Sequence, residues 1–162
     1  MPLSKTDKPN IKLTAPEGVF FPTGTTKVLV EAVSSHVTKP GKLLDLGCGA
    51  GAIGLELHQR GVVELPLYAS DISEKAVECF EMNAKANNCS SIARCGSLFR
   101  PWEGEQFDYI VDDVAGIARG VARISPWYKN IPCDSGDGGT LLINQIIEQA
   151  NQHLKPNGLF FF

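Results

Sequence analysis

The chain has 162 residues, of which 43% are hydrophobic and 20% are charged, and its formal net charge is -3 at neutral pH. This length and composition suit a single globular domain, and the slight acidic excess disfavours a broad nucleic-acid-binding surface. No apolar stretch is long enough to cross a membrane, and residues 1–10 lack the apolar core of a secretion signal, so we expect a cytoplasmic protein.

The cysteines and histidines are scattered along the chain rather than grouped. The five cysteines form no Cys-x-x-Cys pair, and the three histidines lie far from one another. We therefore expect no metal site. An odd number of cysteines in a chain without a secretion signal favours reduced thiols.

Apolar periodicity predicts strands that alternate with helices. Strands are expected at residues 43–46, 65–70, 92–95, 107–111 and 159–162. Helices are expected from Thr25 or Thr26, over 52–60, after Ser73 and over 143–154. Residues 1–17 contain three prolines and are expected to form a flexible arm, and residues 112–139 a long irregular stretch.

This alternation predicts one α/β domain over residues 18–162. Parallel strands joined by helical crossovers form a doubly wound, mostly parallel sheet with helices on both faces. Burial of the strands on both faces accounts for their unbroken apolar character. In such folds a ligand binds outside the carboxyl ends of the strands, near the point where the strand order reverses.

A glycine-rich turn follows the first predicted strand, where residues 43–54 read LLDLGCGAGAIG. Its glycines permit backbone angles closed to other residues and let a ligand lie against bare backbone. Asp71 ends the second predicted strand, about 20 residues further on, where dinucleotide-binding folds place an acid for a ribose diol. A carboxylate suits that role because it accepts hydrogen bonds from two adjacent hydroxyls.

Two ligand classes compete for this turn. Residues 49–54 match the dinucleotide pattern G-x-G-x-x-G, which is typical of an NAD-dependent oxidoreductase. Asp45 lies two residues before Gly47, the first glycine of the turn. It disfavours a dinucleotide ligand, because a dinucleotide site must hold a pyrophosphate anion nearby. S-adenosyl-L-methionine carries an ammonium and a sulfonium, so a neighbouring acid favours it.

These residues resemble the class I S-adenosylmethionine-dependent methyltransferases, which have a Rossmann-like fold. Residues 43–54 resemble the cofactor motif of that class, 68–88 (YASDISEKAVECFEMNAKANN) its second motif, and 134–162 its later helix and strand. With residues 18–26 (GVFFPTGTT), the chain looks most like the small-methyltransferase group that includes the release-factor glutamine methyltransferases.

The resemblance implies S-adenosyl-L-methionine as the cofactor. The glycines of the turn would cradle its methionine part, and Asp45 would help to hold its amino group. Asp71 would bind the ribose, and Ser97 and Leu98 would border the adenine. The expected cofactor-binding residues are Asp45, Leu46, Gly47, Cys48, Gly49, Gly51, Asp71, Ile72, Ser97 and Leu98.

The substrate motif of the group departs from its usual Asn-Pro-Pro-Tyr. Residues 113–116 read Asp-Val-Ala-Gly at the end of the fourth predicted strand, which disfavours glutamine or adenine as the substrate. Asp113 keeps an acceptor oxygen but lacks the amide donor. We expect Asp112 and Asp113 to be catalytic, orienting a substrate amine or hydroxyl or taking its proton. In the alternative, one of them caps the following segment and the other is solvated.

The sequence thus predicts a methyltransferase acting on a nitrogen of a protein side chain or an RNA base. A cofactor-binding but inactive regulatory or assembly domain is the alternative that the altered segment favours, and an NAD-dependent oxidoreductase is a weaker one. Class I methyltransferases usually have seven strands, and this sequence reaches only the fifth, so we expect the last strands to be absent. Residues 159–162 would then leave an apolar edge for a second copy or a partner chain to cover.

Overall fold

The computed structural model describes residues 10–114, 116–128 and 130–162. Five strands form a single sheet in which every neighbouring pair is parallel, in the order β3-β2-β1-β4-β5. The strands are β1 (Leu43–Leu46), β2 (Leu67–Asp71), β3 (Ser91–Cys95), β4 (Phe107–Asp112) and β5 (Leu154–Phe161). The direction of winding reverses between β1 and β4, so the carboxyl ends of these two strands form the switch point at which ligands bind in such folds.

Helices cover the sheet on both faces, as predicted. They are α1 (Gly24–His36), α2 (Ala52–Gln59), α3 (Glu74–Ala86), α4 (Arg119–Ile124) and α5 (Leu141–Ala150). Short 3-10 turns lie at Arg100–Trp102, Pro126–Tyr128 and Asn151–His153. No helix in the described part of the chain has both the length and the apolar character that crossing a bilayer requires.

The two faces of the sheet hold separate hydrophobic cores because successive strand residues point to opposite sides. Leu43 of β1 packs into a core with side chains of α1, α2 and α3, including the fully buried Phe80. The next residue, Leu44, packs into the opposite core with Trp102 and with Ile146 of α5. This alternation explains why β1 is buried along its whole length.

The local sequence accounts for the boundaries of α3. The Ser73 hydroxyl accepts a hydrogen bond from the Ala76 N–H, and Glu74 places a negative charge in the first turn of the helix. Both features stabilise a helix N-terminus, where backbone N–H groups are unpaired and the helix dipole is positive. The helix ends at Ala86, and Asn88 after it has a positive φ of 58°.

Three sequence predictions require correction. The stretch 112–139 is not wholly irregular, because α4 forms within it. The helix predicted over residues 143–154 ends at Ala150, and the fifth strand begins at Leu154 rather than at residue 159. Pro156, Asn157 and Gly158 therefore lie inside the strand. There the pairing with β4 shifts register, with Phe107 opposite Leu154 but Tyr109 opposite Leu159. The extra residues of β5 form a bulge, after which Ile110 pairs with Phe160 and Val111 with Phe161.

The end of the predicted N-terminal arm is held against α3. The side chain of Asn83 accepts hydrogen bonds from the Thr14 N–H and hydroxyl and donates one to the Thr14 carbonyl oxygen. Asn87 pairs in the same manner with the backbone of Lys12. An asparagine amide offers a donor and an acceptor like a peptide group, so α3 binds this segment as an adjacent strand would. Residues 1–9 of the predicted arm lie outside the described residues.

Candidate functional site

A pocket of about 440 Å³ lies at the carboxyl ends of β1, β2 and β4, beside the switch point. Eight of the site residues expected from the sequence line it, namely Leu46, Gly47, Gly49, Asp71, Ile72, Ser97, Leu98 and Asp113. The other four, Asp45, Cys48, Gly51 and Asp112, are not among its lining residues. They lie next to it in the chain, in the turn or at the ends of the strands.

The turn after β1 is fixed both by hydrogen bonds and by close packing. The N–H groups of Gly47 and Cys48 both donate to the Ser70 carbonyl oxygen, at 2.8 and 3.0 Å. Gly51 has φ of +84°, and a Cβ built there would lie 2.4 Å from the Phe80 ring. Only glycine adopts this backbone conformation freely and allows so close an approach. Gly51 therefore packs the turn against Phe80 of α3 and does not line the pocket.

Asp71 at the end of β2 is held in a single orientation. Its Oδ2 accepts a hydrogen bond from the Gly49 N–H at 3.0 Å, and its Oδ1 accepts one from the Ser73 N–H at 2.9 Å. Each carboxylate oxygen has a second lone pair. Asp71 can therefore still accept hydrogen bonds from a ligand in the pocket.

Asp45 lies beneath the turn and is only 1% exposed. Its Oδ2 accepts a hydrogen bond from the Gly54 N–H at 3.3 Å, while its Oδ1 has no partner among the described residues. Burial raises the pKa of Asp45 to about 7, with smaller contributions from the nearby carboxyls of Asp113 and Asp71. The Asp45 side chain therefore lies outside the pocket wall, and any effect on a ligand there would come from its charge.

The two acids at the end of β4 have different surroundings. Asp112 is 7% exposed, and its Oδ1 accepts a hydrogen bond from the Val114 N–H at 2.9 Å. Burial, with a smaller contribution from the neighbouring Asp113, raises the pKa of Asp112 to about 7. Asp113 lines the pocket, and burial raises the pKa of its carboxyl as well. Asp112 thus shapes the strand end, whereas Asp113 faces the ligand space. Ala115, within the altered motif, lies outside the described residues.

A segment that the sequence analysis did not assign to the site forms the opposite wall. The pocket is lined there by Ala122 and Arg123 of α4, by Ile131, Pro132, Cys133 and Asp134, and by Leu142 of α5. The Ile117 N–H donates to the Cys133 carbonyl oxygen at 3.1 Å, and Arg119 forms ion pairs with Asp134 and Asp137. Neither contact follows a local sequence pattern, so only the tertiary structure places this wall.

Gly18, Val19 and Phe20 complete the rim of the pocket just before α1. A Cβ on Gly49 would lie 3.2 Å from the Phe20 carbonyl oxygen, so this rim presses closely on the glycine-rich turn. Ile72 is 58% exposed and gives the pocket an apolar surface beside Asp71. The resemblance of residues 18–26 was a signal that this segment belongs to the site.

The sequence profile of the Methyltransferase small domain family matches residues 10–113, which include the glycine-rich turn, Asp71 and the end of β4. The chain belongs to this family. It is 29% identical over 162 residues to the release factor glutamine methyltransferase of Thermodesulfovibrio yellowstonii, covering 94% of this chain and 58% of that protein. It is also 30% identical over 146 residues to the ribosomal protein L11 methyltransferase of Thermoanaerobacter sp., covering 88% of this chain and 39% of that protein.

Solved structures share the fold of this domain. The ribosomal protein L11 methylase of Lactobacillus delbrueckii subsp. bulgaricus superposes with a TM-score of 0.62 at 22% identity, covering 90% of this chain and 63% of that one. A methyltransferase from Pyrococcus furiosus gives a TM-score of 0.65 at 16% identity, covering 93% and 67%. The domain spans little more than half the length of its release-factor relatives, 58% and 53% for two of them.

Proposed function

We propose that this domain binds S-adenosyl-L-methionine and transfers its methyl group to a nitrogen of a protein side chain or an RNA base. The observation that carries the proposal is the joining of Asp71 to the glycine-rich turn at the floor of one pocket. The relatives named for release factor glutamine and for ribosomal protein L11 favour a protein substrate over RNA.

The residues of the pocket fit this cofactor. Asp71 keeps free lone pairs for the ribose hydroxyls, and Ile72 and Leu98 offer apolar surface for a flat adenine. When ionised, Asp45, Asp112 and Asp113 create a negative potential that suits an ammonium or a sulfonium, and this potential strengthens as the pH rises through 7. The same potential disfavours the pyrophosphate of NAD, although the Asp45 side chain lies beneath the turn and does not occupy the pocket.

The bound cofactor would supply an electrophilic methyl group, and the protein would orient the substrate nitrogen for in-line attack. Asp113 lies in the pocket wall at the end of β4 and can accept a hydrogen bond from a substrate N–H. Since burial raises the pKa of Asp113, its carboxylate is also a better proton acceptor than an exposed one. Asp112, tied to the Val114 N–H, would hold this strand end in place.

A second function has one specific observation in its favour. A Cβ on Gly47 would lie 2.5 Å from the Val114 side chain, so Val114 of the altered motif packs against the turn. If the altered motif serves to pack against the turn rather than to hold a substrate, the domain would bind the cofactor without transferring the methyl group, as a regulatory or assembly domain. Partner proteins and the covering of the β5 edge remain predictions under both functions.

Calorimetric titration with S-adenosyl-L-homocysteine, with NAD as the control ligand, tests the cofactor proposal. We expect binding of the homocysteine ligand alone, weakened about tenfold or more in Asp71→Ala because hydrogen bonds to a charged group are lost. The matched control is Glu81→Ala, which removes an exposed carboxyl from α3 and should leave the affinity unchanged. Folded wild-type protein that binds neither ligand would refute the proposal.

Transfer is tested separately, with a methyl-labelled cofactor and purified release factor, ribosomal protein L11 and total RNA as acceptors. Label in one protein acceptor, lost in Asp113→Ala with cofactor binding intact, is the expected result. Label in RNA would move the substrate to that class. Binding without label in any acceptor would favour the inactive domain.

A further inference from the structure

Thr26 in the first turn of α1 contacts an acid of the site that is 87 residues away in the sequence. Its Oγ1 donates a hydrogen bond to Asp113 Oδ2, and the two oxygens are 2.7 Å apart. Thr26 is 5% exposed, so little water competes for this bond. The other two threonines beside it, Thr23 and Thr25, are exposed and bond to each other instead.

The direction of the bond follows from the neighbours of the Thr26 hydroxyl. The Thr23 N–H donates to Thr26 Oγ1 at 3.2 Å, as expected at the start of a helix. A hydroxyl that accepts from a backbone N–H still has its own hydrogen to donate. Asp113, when ionised, can only accept, so the hydroxyl hydrogen lies on the side of Oδ2.

We propose that Thr26 is a positioning residue that commits one oxygen of Asp113 and leaves the other, Oδ1, to receive a substrate N–H. This role rests on the proposed function. Oδ1 has no donor among the described residues, and Asp113 belongs to the pocket wall. A carboxylate held in this way can accept a hydrogen bond from a donor on the substrate, but it has no hydrogen to donate to a carbonyl oxygen. Thr26 therefore contributes to selecting a substrate that presents N–H at this point.

The same bond affects the charge of Asp113. The pKa of Asp113 is raised by burial, and the hydrogen bond from Thr26 opposes that rise. The other ionisable groups facing this region are carboxyls of three strands, Asp45, Asp71 and Asp112, and Arg123, Cys133 and Asp134 of the opposite wall. Removing the hydroxyl should make Asp113 harder to ionise, because a hydrogen bond that stabilises its carboxylate is lost.

Thr26→Val removes the hydroxyl and keeps the size of the side chain, whereas Thr26→Ser keeps the hydroxyl. Thr25→Val is the matched control on the exposed side of the same helical turn. The aspartate carboxyl carbons are titrated by NMR in 13C-labelled protein, and Asp113→Asn identifies the Asp113 signal. We expect the Asp113 titration to move to higher pH in Thr26→Val and to stay in place in Thr26→Ser and Thr25→Val.

Titration with S-adenosyl-L-homocysteine on the same samples separates this inference from the proposed function. Affinity in Thr26→Val within about twofold of wild type is expected, because the hydroxyl bonds to Asp113 rather than to the cofactor turn. An unmoved Asp113 titration, with Thr26→Val only lowering the melting temperature, would show a helix cap and overturn the positioning role. If the wild type does not bind S-adenosyl-L-homocysteine, the proposed function is overturned, and the positioning role with it, whatever the titration of Asp113 shows.

Discussion

The backbone N–H of Gly49 and the carboxylate of Asp71 are joined by a hydrogen bond of 3.0 Å. The glycine-rich turn and the acid after β2 are therefore one structural unit, although 22 residues separate them. The second oxygen of Asp71 holds the Ser73 N–H, which places the start of α3 as well. A change at Asp71 consequently affects both the ligand and the shape of its binding site.

Asp71→Asn should destabilise the fold even without ligand. An asparagine has a single acceptor oxygen, so either the Gly49 or the Ser73 N–H would face an NH2 group. We expect a loss of about 1–3 kcal/mol in the free energy of unfolding, measured by urea denaturation. Glu81→Gln, on an exposed carboxyl of α3, is the control and should change little. Equal stability of the two variants would mean that the Asp71 hydrogen bonds do not hold the turn.

Gly51→Ala should disturb the turn far more than Gly104→Ala. Both glycines have positive φ, +84° and +78°, but a Cβ at Gly51 meets the Phe80 ring at 2.4 Å and one at Gly104 meets nothing. The backbone conformation alone should cost about 1–2 kcal/mol in each variant. The overlap with Phe80 should bring the loss at Gly51 to about 3 kcal/mol or more. Denaturation curves that coincide would contradict the packing against Phe80.

Protein stability should depend on pH through Asp45. Its folded pKa of about 7 lies above its ordinary value, so the folded state binds the proton more tightly than the unfolded chain does. The resulting stabilisation is present below about pH 4 and is lost as the pH rises through 7. Asp45→Asn has no titrating carboxyl at this position. Between pH 5 and 8 its melting temperature should therefore fall less than that of the wild type, with a difference of roughly a few degrees. Parallel melting curves in that range would refute the effect of burial on Asp45.

The preference for the methylated cofactor should increase with pH. S-adenosyl-L-methionine carries a sulfonium charge that S-adenosyl-L-homocysteine lacks, and Asp45 and Asp112 both have pKa values raised to about 7. As these carboxyls ionise, the extra positive charge gains attraction. The ratio of the two affinities, measured by calorimetry from pH 6 to 8, should rise by about two- to tenfold. The rise should be smaller in Asp45→Asn, and a flat ratio in the wild type would show that these acids do not act on the sulfonium.

Much of the fold follows from local pattern. Strands such as β1 and β4 are short apolar runs, and α3 carries its own cap at Ser73, so residues close in sequence define these elements. The register shift within β5 could not be predicted from local pattern, because Pro-Asn-Gly at residues 156–158 resembles the end of a helix rather than a bulge within a strand. The bulge becomes visible only when β4 is in place to pair on both sides of it.

The sequence by itself determined the glycine-rich turn, the acid at Asp71 and the parallel α/β order, since steric freedom at glycine and the spacing of apolar residues are local properties. The tertiary structure alone decided what surrounds these groups. It buried Asp45 beneath the turn, brought Thr26 to Asp113 and set the segment from α4 to Asp134 opposite them. Burial and long-range hydrogen bonds depend on which distant elements pack together, and no spacing along the chain records that.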